Sequence, residues 1–214
     1  MSDTAKSFLP EKLKNGFMNL LTPVVEIFSK LKIHPNTFTV WGLIITSFSS
    51  YFFIVGDITI GGTLVLIGGI CDVIDGKLAR KSNKVSRFGA LFDSSVDRYS
   101  EVIMFFGVAT YFVRMEYYLS SVAVFAALGG SIMVSYIRAR AEGLGFECKV
   151  GLMQRPERVV FIGAGALFGT SFNTVILRIA IGIVAILANI TAIHRLIHIY
   201  RADDKKSDPN TDKV

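Results

Sequence analysis

Long apolar blocks separated by short polar stretches dominate the chain, and their length of roughly 20 residues is that of a helix crossing a hydrocarbon layer. The blocks fall at Asn36 to Ile54, at Ile58 to Ala79, and near 89–113, 117–141, 157–172 and 174–199, with Gly56 and Asp57 marking the first turn. The pattern predicts six membrane-spanning helices. Ahead of them, Phe17, Leu21, Val24, Val25 and Phe28 alternate with lysines such as Lys12, Lys14 and Lys30, which suits an amphipathic helix lying in the membrane interface. Charges at both ends of this stretch and Pro23 in its middle do not fit a cleavable secretory signal, so it reads as retained. The tail beyond Arg201, with Asp203, Asp204, Lys205, Lys206, Asp208 and Pro209, reads as disordered. The expected organisation is an interfacial helix over 1–34, a six-helix domain over 35–201 and a cytoplasmic tail over 202–214.

Composition supports lipid as the solvent. Of 214 residues 51% are hydrophobic and only 19% charged, which leaves no room for a large extramembrane domain. The net charge of +6 is not spread along one solvated face, so it points to anionic headgroups and not to nucleic acid. Five basic residues lie in the N-terminal segment, five in Lys77 to Arg87, five in Arg138 to Arg158 and five from Arg195 onward, so 20 of the 23 fall on alternate connections. By the positive-inside rule both termini and both basic loops face the cytoplasm of a multi-pass cell-membrane protein. Cys71 and Cys148 form neither a disulfide framework nor a thiolate cluster, and His34, His194 and His198 lack the partners of a metal site.

The chemistry concentrates in Asp72-Val-Ile-Asp75-Gly76-Lys-Leu-Ala-Arg80 and, after eight more residues, Gly89, Asp93 and Asp97. Asp72 and Asp75 are three apart and Asp93 and Asp97 four apart, so each pair occupies one face of its helix. A short basic loop makes the two helices antiparallel neighbours, and the four carboxylates converge at their cytoplasmic ends. Such a cluster repels itself unless a cation sits within it. Helix-end salt bridges with Lys77, Arg80, Arg87 and Arg98 would explain one acidic pair. Two pairs flanking a glycine that lets a phosphate approach favour magnesium, or manganese, as the counter-charge. Paired divalent ions are a known device for displacement at phosphorus. An ion site in a small cation channel or transporter is the competing reading, disfavoured because the acids lie at one membrane face beside a basic loop.

This segment, D-x-x-D-G-x-x-A-R followed by eight residues and G-x-x-x-D-x-x-x-D, resembles the motif of the CDP-alcohol phosphotransferase family at every fixed position. The resemblance implies a membrane enzyme that transfers the phosphatidyl group of a CDP-linked lipid such as CDP-diacylglycerol to an alcohol and releases CMP. It further implies two divalent metals on Asp72, Asp75, Asp93 and Asp97, with Asp97 also the general base. Asn36, Thr37, Phe38, Thr39, Asp72, Gly76, Arg80 and Ser86 would contact the CDP-lipid. A homodimer is implied as well, and Gly165 with Gly169 offers a small-residue face for it or for packing within one subunit.

The acceptor is read from the second half. Ser135 to Gly143 together with Gln154 to Arg158 resembles the family's bacterial phosphatidylinositol phosphate synthase branch, in which Arg138, Arg155 and Arg195 would bind the phosphate of inositol 1-phosphate. Guanidinium forks suit a phosphate dianion, whereas a neutral alcohol would leave three cations unpartnered. Glycerol 3-phosphate, the acceptor of a phosphatidylglycerophosphate synthase, is the alternative. Simple snorkelling anchors are the bland explanation for such arginines.

Overall fold

The structure is a computed structural model that describes residues 11–168 and 174–207, with side chains over 16–168 and 174–204. Seven helices occupy the described residues: α1 Glu11–Lys30, α2 Pro35–Val55, α3 Ile58–Lys81, α4 Arg87–Arg114, α5 Tyr118–Gly143, α6 Arg155–Leu167 and α7 Val175–Ser207. Four of them, α2, α3, α5 and α7, are long and apolar enough to cross a membrane. Large apolar side chains such as Trp41, Phe48, Phe106, Phe125, Ile186 and Ile193 face outward. Only lipid makes that surface tolerable. The protein is an all-α integral membrane protein.

The expected spans over 89–113 and 157–172 differ from the other four. Helix α4 is 28 residues long, but Asp93, Asp97, Arg98 and Glu101 interrupt its apolar run. Helix α6 has 13 residues, about 20 Å at 1.5 Å per residue, which is shorter than a hydrocarbon layer of about 30 Å. The tail departs in the other direction, because α7 continues to Ser207. Extending a formed helix into water costs little once its nucleus exists. The remainder, 208–214, lies outside the described residues.

Helix α1 lies against α3. Leu21 and Val25 pack on Ile74 and Leu78, Lys81 pairs with Glu26 at 3.0 Å, and the Lys77 ammonium donates to the carbonyl of Met18 and, at 3.2 Å, to the hydroxyl of Thr22. The Lys81 ammonium holds the Glu26 carboxyl below the usual range. These bonds tie α1 to α3 on both sides of Pro23.

Contacts between α2 and α3, α2 and α4, α3 and α6, α4 and α5, α5 and α7, and α6 and α7 close the bundle. Glycines set the closest approaches. A Cβ on Gly107 would lie 2.7 Å from the Ser50 backbone, and one on Gly62 would lie 2.9 Å from the Gly163 carbonyl. A Cβ on Gly165 would meet that of Ala180 at 2.7 Å, so Gly165 serves packing between α6 and α7 and is not free as a dimer face. Gly169 lies outside the described residues.

Candidate active site

The acidic residues come from the facing ends of α3 and α4. After α3, Asn83 takes a left-handed φ of 52° and the Lys84 N–H bonds to the Ala79 carbonyl at 3.0 Å, which turns the chain. Ser86 then caps α4, its hydroxyl accepting from the Gly89 N–H at 2.9 Å. This hairpin brings one carboxylate oxygen each of Asp72, Asp75 and Asp93 within 4.8 Å of one another. Asp75 accepts a hydrogen bond from the Thr39 hydroxyl at 2.7 Å, which orients its carboxylate. Asp93 Oδ1 is buried with no hydrogen-bond partner among the described residues. Convergent hard oxygens and an orphaned carboxylate oxygen fit a divalent cation.

Asp97 stands beside this trio. Arg155 bridges the two helices, with Nη1 2.6 Å from Asp72 Oδ2 and Nη2 2.8 Å from Asp97 Oδ1. Arg98 approaches Asp97 Oδ2 at 3.3 Å. A guanidinium in the acidic cluster relieves part of its repulsion.

Two cavities meet at these residues. The first is lined by Phe38, Thr39, Asp72, Asp75, Asp97 and Arg155 among others. The second, of about 670 Å³, is lined by Arg98, Arg138, Arg155, Arg158 and Arg195 together with Asp72, Asp93 and Asp97. Asp72, Asp97 and Arg155 thus border both.

The residues expected at a CDP-lipid are placed unevenly. Asp72 and Thr39 are in the first cavity. A Cβ on Gly76 would find only the Arg80 guanidinium, at 3.6 Å, so that surface is open to close approach. Asn36 and Ser86 come together beside Gly89, whose added Cβ would lie 3.9 Å and 2.9 Å from their oxygens. Thr37 is exposed. Phe38 meets Phe28 in a tilted ring contact, 4.7 Å between centroids, and packs with the Leu21 and Ile74 cluster, which gives it a structural task as well.

Of the three expected acceptor arginines, Arg138 is exposed and pairs with Glu142 at 2.8 Å. Arg195 is 2% exposed. Its Nε donates to the Val150 carbonyl at 2.8 Å and its Nη1 to the Val134 carbonyl at 2.5 Å. It is therefore no snorkelling anchor. Arg195→Gln is expected to lower thermal stability in detergent as well as weaken acceptor binding, because two buried carbonyls lose a donor. A melting curve beside acceptor saturation kinetics checks both effects.

Sequence reasoning passed over two site-lining residues. Glu101 and Arg158 form a buried ion pair at 2.7 Å. Glu101 repeats the four-residue spacing of Asp93 and Asp97, and Arg158 follows Arg155 by three, so helical periodicity offered the signal. Burial pushes the Cys148 thiol up, in keeping with an inert cysteine.

The family model for CDP-alcohol phosphatidyltransferase matches residues 32–199. The chain belongs to the CDP-alcohol phosphatidyltransferase family. Among similar proteins of this family, archaetidylinositol phosphate synthase from Pyrococcus horikoshii is 36% identical over 187 residues, covering 86% of this chain and 93% of that one. Phosphatidylinositol phosphate synthase from Streptomyces avermitilis is 30% identical over 206 residues, covering 92% and 84%. The crystal structure of the Mycobacterium tuberculosis phosphatidylinositol phosphate synthase with CDP-diacylglycerol bound superposes with a TM-score of 0.75 at 26% identity, over 90% of this chain and 96% of that one. The same enzyme in complex with manganese and citrate gives a TM-score of 0.76 at 27% identity, over 88% and 90%. Family membership sets aside the channel reading, and the relative's manganese agrees with a divalent cation at the aspartates.

Proposed function

We propose that the protein is a phosphatidylinositol phosphate synthase, transferring the phosphatidyl group of CDP-diacylglycerol to inositol 1-phosphate and releasing CMP. The observation that carries this reading is the pair of cavities joined at Asp72, Asp97 and Arg155, one acidic and one lined by five arginines. The acidic cavity takes the pyrophosphate end of the donor, with Gly76, Arg80, Thr39 and the Asn36–Ser86 neighbourhood around the nucleotide. Asp72, Asp75, Asp93 and Asp97 would hold two divalent ions, magnesium or manganese. When bound, these ions spread the negative charge that develops on the leaving CMP.

Arg138, Arg155 and Arg195 orient the acceptor through its phosphate, so that a ring hydroxyl reaches the donor phosphorus at the junction of the cavities. Asp97 borders both cavities and takes the hydroxyl proton on a carboxylate oxygen as the new phosphodiester bond forms and the bond to CMP breaks.

A second reading changes only the lipid. The Pyrococcus relative's name specifies an archaetidyl product, and its identity to this chain exceeds that of the Streptomyces protein. The test is CMP release by purified protein from CDP-diacylglycerol and from a CDP-linked archaeal ether lipid, each with inositol 1-phosphate, glycerol 3-phosphate, free inositol and glycerol. Inositol 1-phosphate is expected to be preferred, whereas preference for glycerol 3-phosphate or for free inositol would reject the acceptor assignment.

Six spans belong to the same reading, with α4 and α6 crossing inside the bundle and the site and both termini cytoplasmic. The 20 basic residues on alternate connections support it. A reporter fused at the C-terminus and active only on the far side would reject that orientation. We assign the protein as a homodimer through a face other than Gly165, which light scattering in detergent tests.

A further inference from the structure

The most deeply buried ion pair of the described residues lies just below the reacting groups. Glu101 is 2% exposed and Arg158 0%, joined by Arg158 Nε and Glu101 Oε1 at 2.7 Å. Burying two charges is costly, and such a pair is often no more stabilising than apolar side chains of similar volume. Glu101 Oε2 and Arg158 Nη2 also lack hydrogen-bond partners among the described residues. An incompletely satisfied buried pair is a poor device for stability alone.

Its position gives it a different task. Glu101 follows Asp97 by one turn of α4, and Arg158 follows Arg155 by one turn of α6. Two ion pairs therefore stack between these helices, Asp97 with Arg155 at 2.8 Å and Glu101 with Arg158 at 2.7 Å. Arg158 Nη1 also donates to the Met153 carbonyl at 3.1 Å, two residues before Arg155. The Met153 N–H donates to the Thr191 hydroxyl at 3.2 Å. Gly151, at a φ of 117°, packs against the same Thr191, and Arg195 holds the Val150 carbonyl at 2.8 Å. The connection entering α6 is thus held at Val150, Gly151 and Met153. Glu101 borders the first cavity and Arg158 the second.

We propose that Arg158, fixed by Glu101, is a positioning residue that sets Arg155 against Asp97 and so keeps the acceptor cavity in register with the donor cavity. This rests on the proposed reading of the two cavities, but not on which phosphorylated alcohol is used. Arg158, 0% exposed, acts through Arg155 and the α6 entry.

The test compares wild type with a double variant, Glu101→Met with Arg158→Met, and with Arg158→Lys. Methionines refill the space without buried charge, so the double variant is expected to fold and bind Mn²⁺ as wild type does. Its kcat/KM for the acceptor is expected to fall about 10- to 100-fold, the scale of a misplacement near 1 Å, with donor KM little changed. Arg158→Lys keeps a charge opposite Glu101 but lacks the fork that also reaches Met153, so acceptor KM is expected to rise with donor KM unchanged. If the double variant fails to fold, Arg158→Lys decides alone. Folded variants with wild-type acceptor kinetics, or equal losses toward donor and acceptor, overturn the proposal. A wild type that turns over no phosphorylated alcohol overturns the functional reading itself, and this proposal with it.

Discussion

Asp97→Asn is expected to reduce turnover about 10²- to 10⁴-fold, the contribution typical of a positioned general base. Asparagine keeps the side-chain volume at a site only 9% exposed, so the fold persists. The amide cannot take up the acceptor proton, and it removes one negative charge from the set expected to hold the divalent ions. Initial rates at saturating donor and acceptor, read beside Mn²⁺ binding, separate the two losses. Full Mn²⁺ affinity with lost turnover assigns Asp97 as the base, whereas joint loss makes its ligand task dominant. Turnover near wild type would reject both.

Arg155→Gln is the second substitution with a large expected effect, because this guanidinium meets Asp72 at 2.6 Å and Asp97 at 2.8 Å and borders both cavities. A charge-assisted contact to the acceptor phosphate is worth about 1.5 to 3 kcal/mol, so acceptor KM is expected to rise roughly 10- to 150-fold. Donor KM should change much less. Loss of the bridge also leaves the carboxylates of α3 and α4 facing one another, so the variant's melting temperature is expected to depend on added magnesium more steeply than the wild type's. Equal shifts in both KM values, with no added magnesium dependence, would remove Arg155 from the acceptor site.

What the sequence made legible was local. Asp72, Asp75, Asp93 and Asp97 were readable because a spacing of three or four puts residues on one helix face, and a short basic loop, which in the structure runs from Ser82 to Ser86, forces the two faces together. Bonds between distant helices carry no such spacing. Arg155 is remote in sequence from Asp72 and Asp97, and its bridge follows from α6 packing against α3. The Thr39 bond to Asp75 likewise depends on α2 lying along α3. Arg195 was legible as an arginine beside apolar surface, but its two carbonyl partners at Val134 and Val150 come from other segments of the fold. The glycines near 165 were ambiguous for the same reason, since close packing within a subunit and between subunits use the same small residues. Hydropathy alone did not set α6, with its 13 residues, apart from the four long apolar helices, because burial in a bundle and exposure to lipid select the same side chains.

The most direct measurement is the phosphorus content of the lipid formed from CDP-diacylglycerol and inositol 1-phosphate, by ³¹P NMR and mass spectrometry with Mg²⁺ or Mn²⁺ present. The account requires one lipid product that carries both a phosphodiester and the acceptor's intact phosphomonoester, formed in equal amount with CMP and absent when the divalent ion is chelated. A lipid with a single phosphate, or full activity in chelator, would contradict it.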